Sequence, residues 1–361
     1  MKGFIILAAL CFFLFGCITP YELRGVEQVD GILVVEGFIT DDESVITLSR
    51  SRHLTDEIWT VDYVLNARVY VEREDGTLFP AEPLSFNVWP PRYVIKNGTL
   101  NPNSRYRLRI EIDSFEYLSE FSYPIITPEI DSVFWRKRGT GQPVTIHVAT
   151  HSPDREVLFY RWSFREDWEI NSEIFHADFP FRCWNYAYSR EILLGSAERT
   201  VFGRVIDIIR EIQPSDRRLS VLYRIDVTQN AISRRAHTYF ANIRQNAEQS
   251  GSIFAPTPST LRGNIFSATD PSRHVIGFID VSTTTRKRLY ISRGDGAYER
   301  PSSWCRVRTA EDICFWFGDA PCSPFYLGYI IFESFPPTFV LPFCVDCTFF
   351  GTTQRPHDWP N

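Results

Sequence analysis

The sequence predicts a mainly β protein: an N-terminal immunoglobulin/fibronectin-like sandwich followed by a larger β-rich domain with one amphipathic helix. Three observations predict it. Apolar residues alternate with polar ones over short runs separated by Gly, Asn, Asp and Pro clusters, the pattern of strands joined by tight turns. Tyr106 heads one such run directly after the turn Leu100-Asn101-Pro102-Asn103, where the tyrosine corner of such sandwiches ties a strand to the preceding connection through its hydroxyl. Only one stretch, from about Ser233 to Gln249, carries a 3.6-residue period.

The elements follow in order. Leu33-Val34-Val35 and Val45-Ile46-Thr47-Leu48-Ser49 read as two strands joined at Thr40-Asp41-Asp42. Ala67 to Glu72 is a third strand, closed by the Glu74-Asp75-Gly76 turn, and Tyr93-Val94-Ile95 precedes a turn at Asn97-Gly98. The Tyr106 strand completes a unit that closes near Thr127-Pro128.

From Ile130 the pattern restarts with Asp131 to Trp135, Val144 to Val148 and Phe159 to Phe164. Leu219, Val221, Tyr223, Ile225 and Val227 give the cleanest period-two signal in the chain. Ile232, Ala236, Tyr239, Phe240, Ile243 and Ala247 then form one helical stripe, which Gly251 is placed to end. Pro256 and Pro258 bound an extended connection, and Val275 to Ile279 and Arg288 to Ile291 read as strands.

The first residues, MKGFIILAALCFFLFGC, place Lys2 before an apolar stretch that ends at Gly16. That is the order of a secretory signal peptide, and at about 14 residues it is too short to span the hydrocarbon comfortably. Leu14-Phe15-Gly16-Cys17 resembles a lipobox, so Cys17 is expected to carry lipid. The expected organisation is a signal peptide over 1–16, a lipidated tether over 17–29, a sandwich over 30–128 and the β-rich domain over 129–361. That last domain holds the helix near 233–249 and a cysteine-rich C-terminal region.

The formal net charge is −6, and removing Lys2 with the signal makes the mature chain more acidic, so nucleic acid is not an expected partner. Cys183, Cys305, Cys314, Cys322, Cys344 and Cys347 remain as disulfide candidates of an exported chain, with fifteen possible pairings. Cys344-Val345-Asp346-Cys347 has C-x-x-C spacing, but Pro342 and Phe349-Phe350-Gly351 frame it as loop or strand rather than as a redox helix. Cys344 and Cys347 are therefore expected to bond upstream cysteines.

The serine-hydrolase elbow, the H-E-x-x-H zinc helix, the phosphate loop and the dinucleotide fingerprint are missing, so no catalytic residue is assigned and an enzyme is not expected. No cofactor is expected. His147 and His151, with His176 as a third, have a spacing that a metal could use, but they read as surface residues and no metal site is assigned. Trp162, Trp168, Trp184, Trp304, Trp316 and Trp359 are either a ligand platform or packing in cores and interfaces.

Several segments together resemble one family: Leu33-Val34-Val35-Glu36-Gly37 with Ile39-Thr40-Asp41, Leu100-Asn101-Pro102 through Tyr106-Arg107-Leu108, Cys183-Trp184, Gly251-Ser252-Ile253-Phe254, and Cys344-x-x-Cys347 with Gly351, Pro356 and Trp359. They are similar to the domain of unknown function 4249 family, outer-membrane lipoproteins of Bacteroidota. The resemblance implies a lipoprotein accessory to a TonB-dependent receptor, held to the outer membrane by its lipid on either the periplasmic or the surface face. Two functions follow as expectations: a non-enzymatic binding or accessory subunit in nutrient uptake or an envelope complex, or an exported hydrolase whose site is assembled from dispersed residues.

Overall fold

The computed structural model describes residues 31–52, 60–84, 90–249, 262–301, 305–309, 311, 330–332 and 337–360. The signal peptide, the tether with Cys17, Cys314, Cys322, Trp304, Trp316, Gly251 to Phe254 and the Pro256 to Pro258 connection lie outside the described residues. Within them the chain is mainly β, with one long helix.

A first pair of sheets encloses a core of Leu33, Val35, Ile46, Leu48, Val69, Val71, Ile95, Leu108 and Ile110. One sheet runs in the order Val275–Gly277, Leu33–Phe38, Asp42–Arg50, Asp62–Tyr63, with Tyr93–Gly98 also pairing on Asp42–Arg50. The other runs Ile265–Ser267, Phe115–Ser119, Tyr106–Ile112, Arg68–Arg73, Leu78–Pro80. The strand Tyr106–Ile112 alternates strictly between buried and half-buried side chains, as one core face and one solvated face require. Tyr106 forms the expected corner: Asn101 N donates to its Oη at 2.9 Å.

This core is not contiguous in sequence. Val275–Gly277 pairs in parallel with Leu33 to Val35, and Ile265–Ser267 pairs antiparallel with Tyr117 to Ser119. Residues 264–281 thus return to close a unit begun some 230 residues earlier, and Ile265, Val275, Ile279 and Val281 join its core.

The second pair of sheets encloses Ile130, Val144, Ile146, Val148, Trp162, Phe164, Ile209, Tyr223, Ile225 and Val227. A three-stranded sheet, Arg204–Ile212, Val144–His151, Ile130–Lys137, lies on one side. On the other is the sheet Arg182–Tyr188, Phe159–Asn171, Leu222–Ala231, Thr284–Ser292, with Leu193–Ser196 also on Phe159–Asn171. Gly195 is required there, because a Cβ would fall 2.1 Å from the Trp162 ring.

The helix, α1 (Arg234–Gln249), begins where its stripe predicts, with Ser233 Oγ accepting from Ala236 N at 3.1 Å. Ile232, Ala236, Tyr239 and Phe240 pack with Phe159 and Phe278, and Phe38 of the first unit joins them, so the helix sits at the junction of the two sandwiches. Buried Gln229 ties that junction, accepting from Trp162 Nε1 at 2.8 Å and donating to Pro128 O at 2.8 Å.

Two local expectations need correction. The strand predicted from Leu219 begins only at Leu222, because Arg217–Leu219 forms a short turn whose first N–H groups are met by Asp216; Leu219 enters the same core from that turn and so extends the alternation. The turn predicted at Asn97-Gly98 is the end of the strand Tyr93–Gly98, because buried Asn97 accepts from Ser44 Oγ at 2.6 Å and donates to Thr40 O at 2.8 Å.

Candidate functional site

The strand Phe159–Asn171 organises the polar surface of the second sandwich. Trp162, Phe164 and Glu166 point into the sandwich, and Arg161, Ser163, Arg165, Asp167 and Glu169 occupy every other position, on the outer face. Pairing sets Ser163 opposite Thr228, Arg165 opposite Asp226 and Asp167 opposite Arg224. The next strand sets Thr228 opposite Arg286 and Asp226 opposite Arg288. On the other edge Tyr188 lies opposite Arg165 and Tyr186 opposite Asp167.

Charges alternate across this face. Asp167 accepts from Arg165 Nη2 and from Arg224 Nη2, both at 2.8 Å, and is fully buried beneath them. Asp226 accepts from Arg288 Nη2 at 3.1 Å and lies 3.4 Å from Arg224 Nε. The Arg165 guanidinium also sits over the rings of Tyr186 and Tyr188, at 5.3 and 5.8 Å from their centroids. Arg92 and the exposed Arg286 make no hydrogen bond or ion pair among the described residues, and Arg92 Nε is buried without a partner.

Above this face runs an open groove of about 900 Å³, closed on its far side by Phe38, Thr40 and Glu43 of the first sandwich. It continues past Arg92, Arg165 and Tyr188 into a cleft of about 340 Å³ bordered by Trp184, Gln354 and His357. Gly37, at the groove edge, lets the strands Leu33–Phe38 and Asp42–Arg50 of the first sandwich approach: its φ is +145° and a Cβ would fall 2.2 Å from Val45 O.

The C-terminal segment is strapped to the same sheet. Cys183 is bonded to Cys347, and Cys305 to Cys344, so each cysteine of the C-x-x-C pair reaches upstream. Trp184 and Thr352 exchange backbone hydrogen bonds at 2.8 Å, and Trp359 Nε1 donates to Glu169 at 3.1 Å. Arg224 lies 5.3 Å from the Trp359 ring centroid and donates to His357 O at 3.2 Å.

Of the two readings of the tryptophans, the described ones follow packing: Trp162 is buried in the second core with Trp168 against it, and Trp184 and Trp359 are buried where the C-terminal segment lies on the sheet. The aromatics facing solvent near the groove are Tyr186 and Tyr188, 54% and 46% exposed. The histidines do not converge: His147 bonds Thr145 and stacks on Phe134, His151 bonds Asp131, and His176 packs on Phe179.

Glu166 is the most constrained acid. It accepts from Arg210 Nη2 and Arg218 Nη1 at 2.9 Å and from Tyr223 Oη at 2.8 Å, which fixes it between the two sheets. Burial raises its pKa against the pull of Arg210, and burial beside Glu166 pushes the Tyr223 hydroxyl far up. This cluster is structural, with every carboxylate oxygen occupied.

Residues 18–288 match the family described as Domain of unknown function (DUF4249). The chain belongs to this family. The DUF4249 match spans both sandwiches as far as Arg288 and stops ahead of Cys305, Cys344 and Cys347. The groove residues Arg92, Arg165, Tyr188 and Arg286 therefore lie inside it, whereas the disulfide Cys183–Cys347 reaches out of it and Cys305–Cys344 lies beyond it. No curated protein matches the chain. No helix among the described residues is long and apolar enough to cross a membrane.

Sequence reasoning missed the groove. Its signal was present in Arg161-x-Ser163-x-Arg165-x-Asp167-x-Glu169, a polar residue at every second position of an otherwise apolar strand. What the one-dimensional pattern lacks is the partner strand, which decides that Arg165 meets Asp226 and Tyr188.

Proposed function

We propose that the chain is a lipoprotein held to the outer membrane by Cys17, acting as a non-enzymatic binding or accessory subunit beside a TonB-dependent receptor. The observation that carries this reading is the outer face of the second sandwich. The carboxylates of that face, Asp167 and Asp226, each already hold two guanidiniums, so the sheet presents guanidinium, hydroxyl and tyrosine groups to the groove, with Glu43 of the first sandwich on the wall opposite. Such a surface suits recognition; proton transfer needs an acid or base with a free lone pair. The rival reading, an exported hydrolase, asks for that free group on the sheet face.

A lipid anchor confines the groove to a membrane surface, raising its effective concentration near a membrane partner without a large interface. The lipobox-like tetrapeptide and the DUF4249 membership support the same assignment. The test is affinity purification from detergent-solubilised outer membrane through an epitope inserted in the exposed Gly139-Thr140 turn. Recovery of a TonB-dependent receptor is the expected result. A lone monomer that hydrolyses glycosidic or peptide bonds would overturn the reading.

A further inference from the structure

We propose that the small cavity between helix α1 and the strands Leu33–Phe38 and Phe159–Asn171 binds an organic carboxylate with an apolar body, recognised by Arg161 and Tyr239. The cavity measures about 280 Å³ and adjoins the groove through Gly37, Ser163 and Ser189. Its apolar walls are Ile192, Phe240, Ile243, Ile276 and Phe278. This site is distinct from the groove face, and its test does not depend on the outer-membrane reading.

Arg161 supplies the charge. Its guanidinium lies 4.2 Å from the ring centroid of Phe240 and 5.2 Å from that of Phe38. It makes no hydrogen bond or ion pair among the described residues, so ring contact is its only partnership and its five N–H donors are unspent. Burial lowers its pKa, and the exposed Glu36 at the rim opposes this through space without bonding it. A partly desolvated cation with no bonded counterion is a standing penalty that a bound anion relieves.

Tyr239 supplies a second donor. Its hydroxyl is buried with no hydrogen bond of ordinary geometry, the Gly277 backbone being its polar neighbour. Burial pushes its pKa up to about 12, so near neutral pH it is an intact O–H. Both unsatisfied groups are donors, and what they lack is an acceptor. A planar carboxylate matches the guanidinium fork, and it brings less hydration into apolar walls than a phosphate dianion does.

The volume sets the size of the ligand. At ~30 Å³ for each water-sized group, the space holds roughly nine such groups, which corresponds to an acid of about ten non-hydrogen atoms. Ser163 and Ser189, shared with the groove, mark the route of entry.

The experiment is isothermal titration of the purified full-length protein in detergent with 3-phenylpropionate and, separately, with the neutral 3-phenylpropan-1-ol. The acid should bind with one-to-one stoichiometry and at least tenfold more tightly than the alcohol. Arg161→Gln should abolish that preference. Tyr239→Phe, which removes one oxygen and keeps the ring packing, should weaken the acid severalfold and leave the alcohol unchanged, and it tests the site should the Arg161 variant not fold. Equal affinity for acid and alcohol in the parent, an undiminished preference in the folded variants, or no heat from the acid at millimolar concentration would overturn the proposal.

Discussion

Around Leu108 and Ile110 the first sandwich buries aliphatic side chains and keeps its ion pairs on the outer faces of its sheets, such as the partly buried pair of Arg107 with Glu72 at 2.8 Å. Around Glu166 the second sandwich buries a carboxylate beneath two guanidiniums and a tyrosine, and it adds the Trp162, Gln229 and Thr150 hydrogen bonds to its centre. An aliphatic core tolerates repacking. A buried charge network tolerates little, because each partner removed leaves another uncompensated in a low dielectric. The second unit therefore specifies one arrangement of its strands, and that arrangement aligns Arg165, Asp226, Arg286 and Tyr188 along the groove.

The sharpest difference is covalent. Both disulfides belong to the second sandwich and its C-terminal segment, closing loops of 164 and 39 residues. In the chain-entropy account such closures are worth up to ~5 and ~4 kcal/mol. Reduction should expose strands Arg182–Tyr188 and Phe159–Asn171 to amide exchange and leave Tyr106–Ile112 protected, read by hydrogen-exchange mass spectrometry. Equal loss in both units would show that they are one cooperative block.

Next in size is the buried acid. Glu166→Gln leaves Arg210 without its anion and Arg218 with Asp216 alone, at 3.2 Å, and should cost about 3–5 kcal/mol in denaturant unfolding. Glu72→Gln, its counterpart in the first sandwich, breaks a bidentate but singly paired and water-accessible contact and should cost less, about 1–2 kcal/mol. Comparable losses would break the distinction between the two interiors.

Asp280 gives a pH signature at the junction. Burial raises its pKa to about 6 while it accepts from Ser233 N at 2.8 Å, with Arg235 nearby as the opposing charge. An unfolded aspartate titrates near 3.9, so between about pH 4 and 6 the folded chain binds the extra proton. Its contribution to stability is therefore greatest below pH 4 and is lost as pH rises towards 6, by about 2–3 kcal/mol. Asp280→Asn keeps an acceptor for Ser233, and subtracting its stability profile from that of the parent should leave this slope. A flat difference would contradict it.

The smallest contrast is between two tyrosine hydroxyls. Tyr223→Phe removes a donor to an ionised carboxylate and should cost about 2 kcal/mol, whereas Tyr106→Phe leaves Asn101 N unbonded at a half-buried corner and should cost about 1 kcal/mol. Urea midpoints decide the order.

The legible parts of the fold were those fixed by local chemistry. Tyr106 after its proline turn, Ser233 before the helical stripe, and the alternation through Tyr223, Ile225 and Val227 each need only neighbours within a few residues. Strand return was not legible, since nothing local in Val275-Ile276-Gly277 says that it pairs with Leu33 to Val35. The cysteines show the same limit: bonding of Cys344 and Cys347 to upstream partners followed from their context, but choosing Cys183 for Cys347 requires the packed sheet. The abundance of tryptophan left platform and packing both open; the described rings are packed, while Tyr186 and Tyr188 stay outside, with the Arg165 guanidinium over both rings.

The groove face is the centre of the account, and quantitative co-purification tests it most directly. The epitope-inserted protein and an Arg286→Glu, Tyr188→Ser variant, both exposed positions away from either core, are recovered from the same detergent-solubilised outer membrane and their bound proteins compared by mass spectrometry. The account predicts that the parent recovers a TonB-dependent receptor and that the variant, equally abundant and equally folded, loses most of it. Equal recovery by both proteins would contradict the assignment of this face as the working surface.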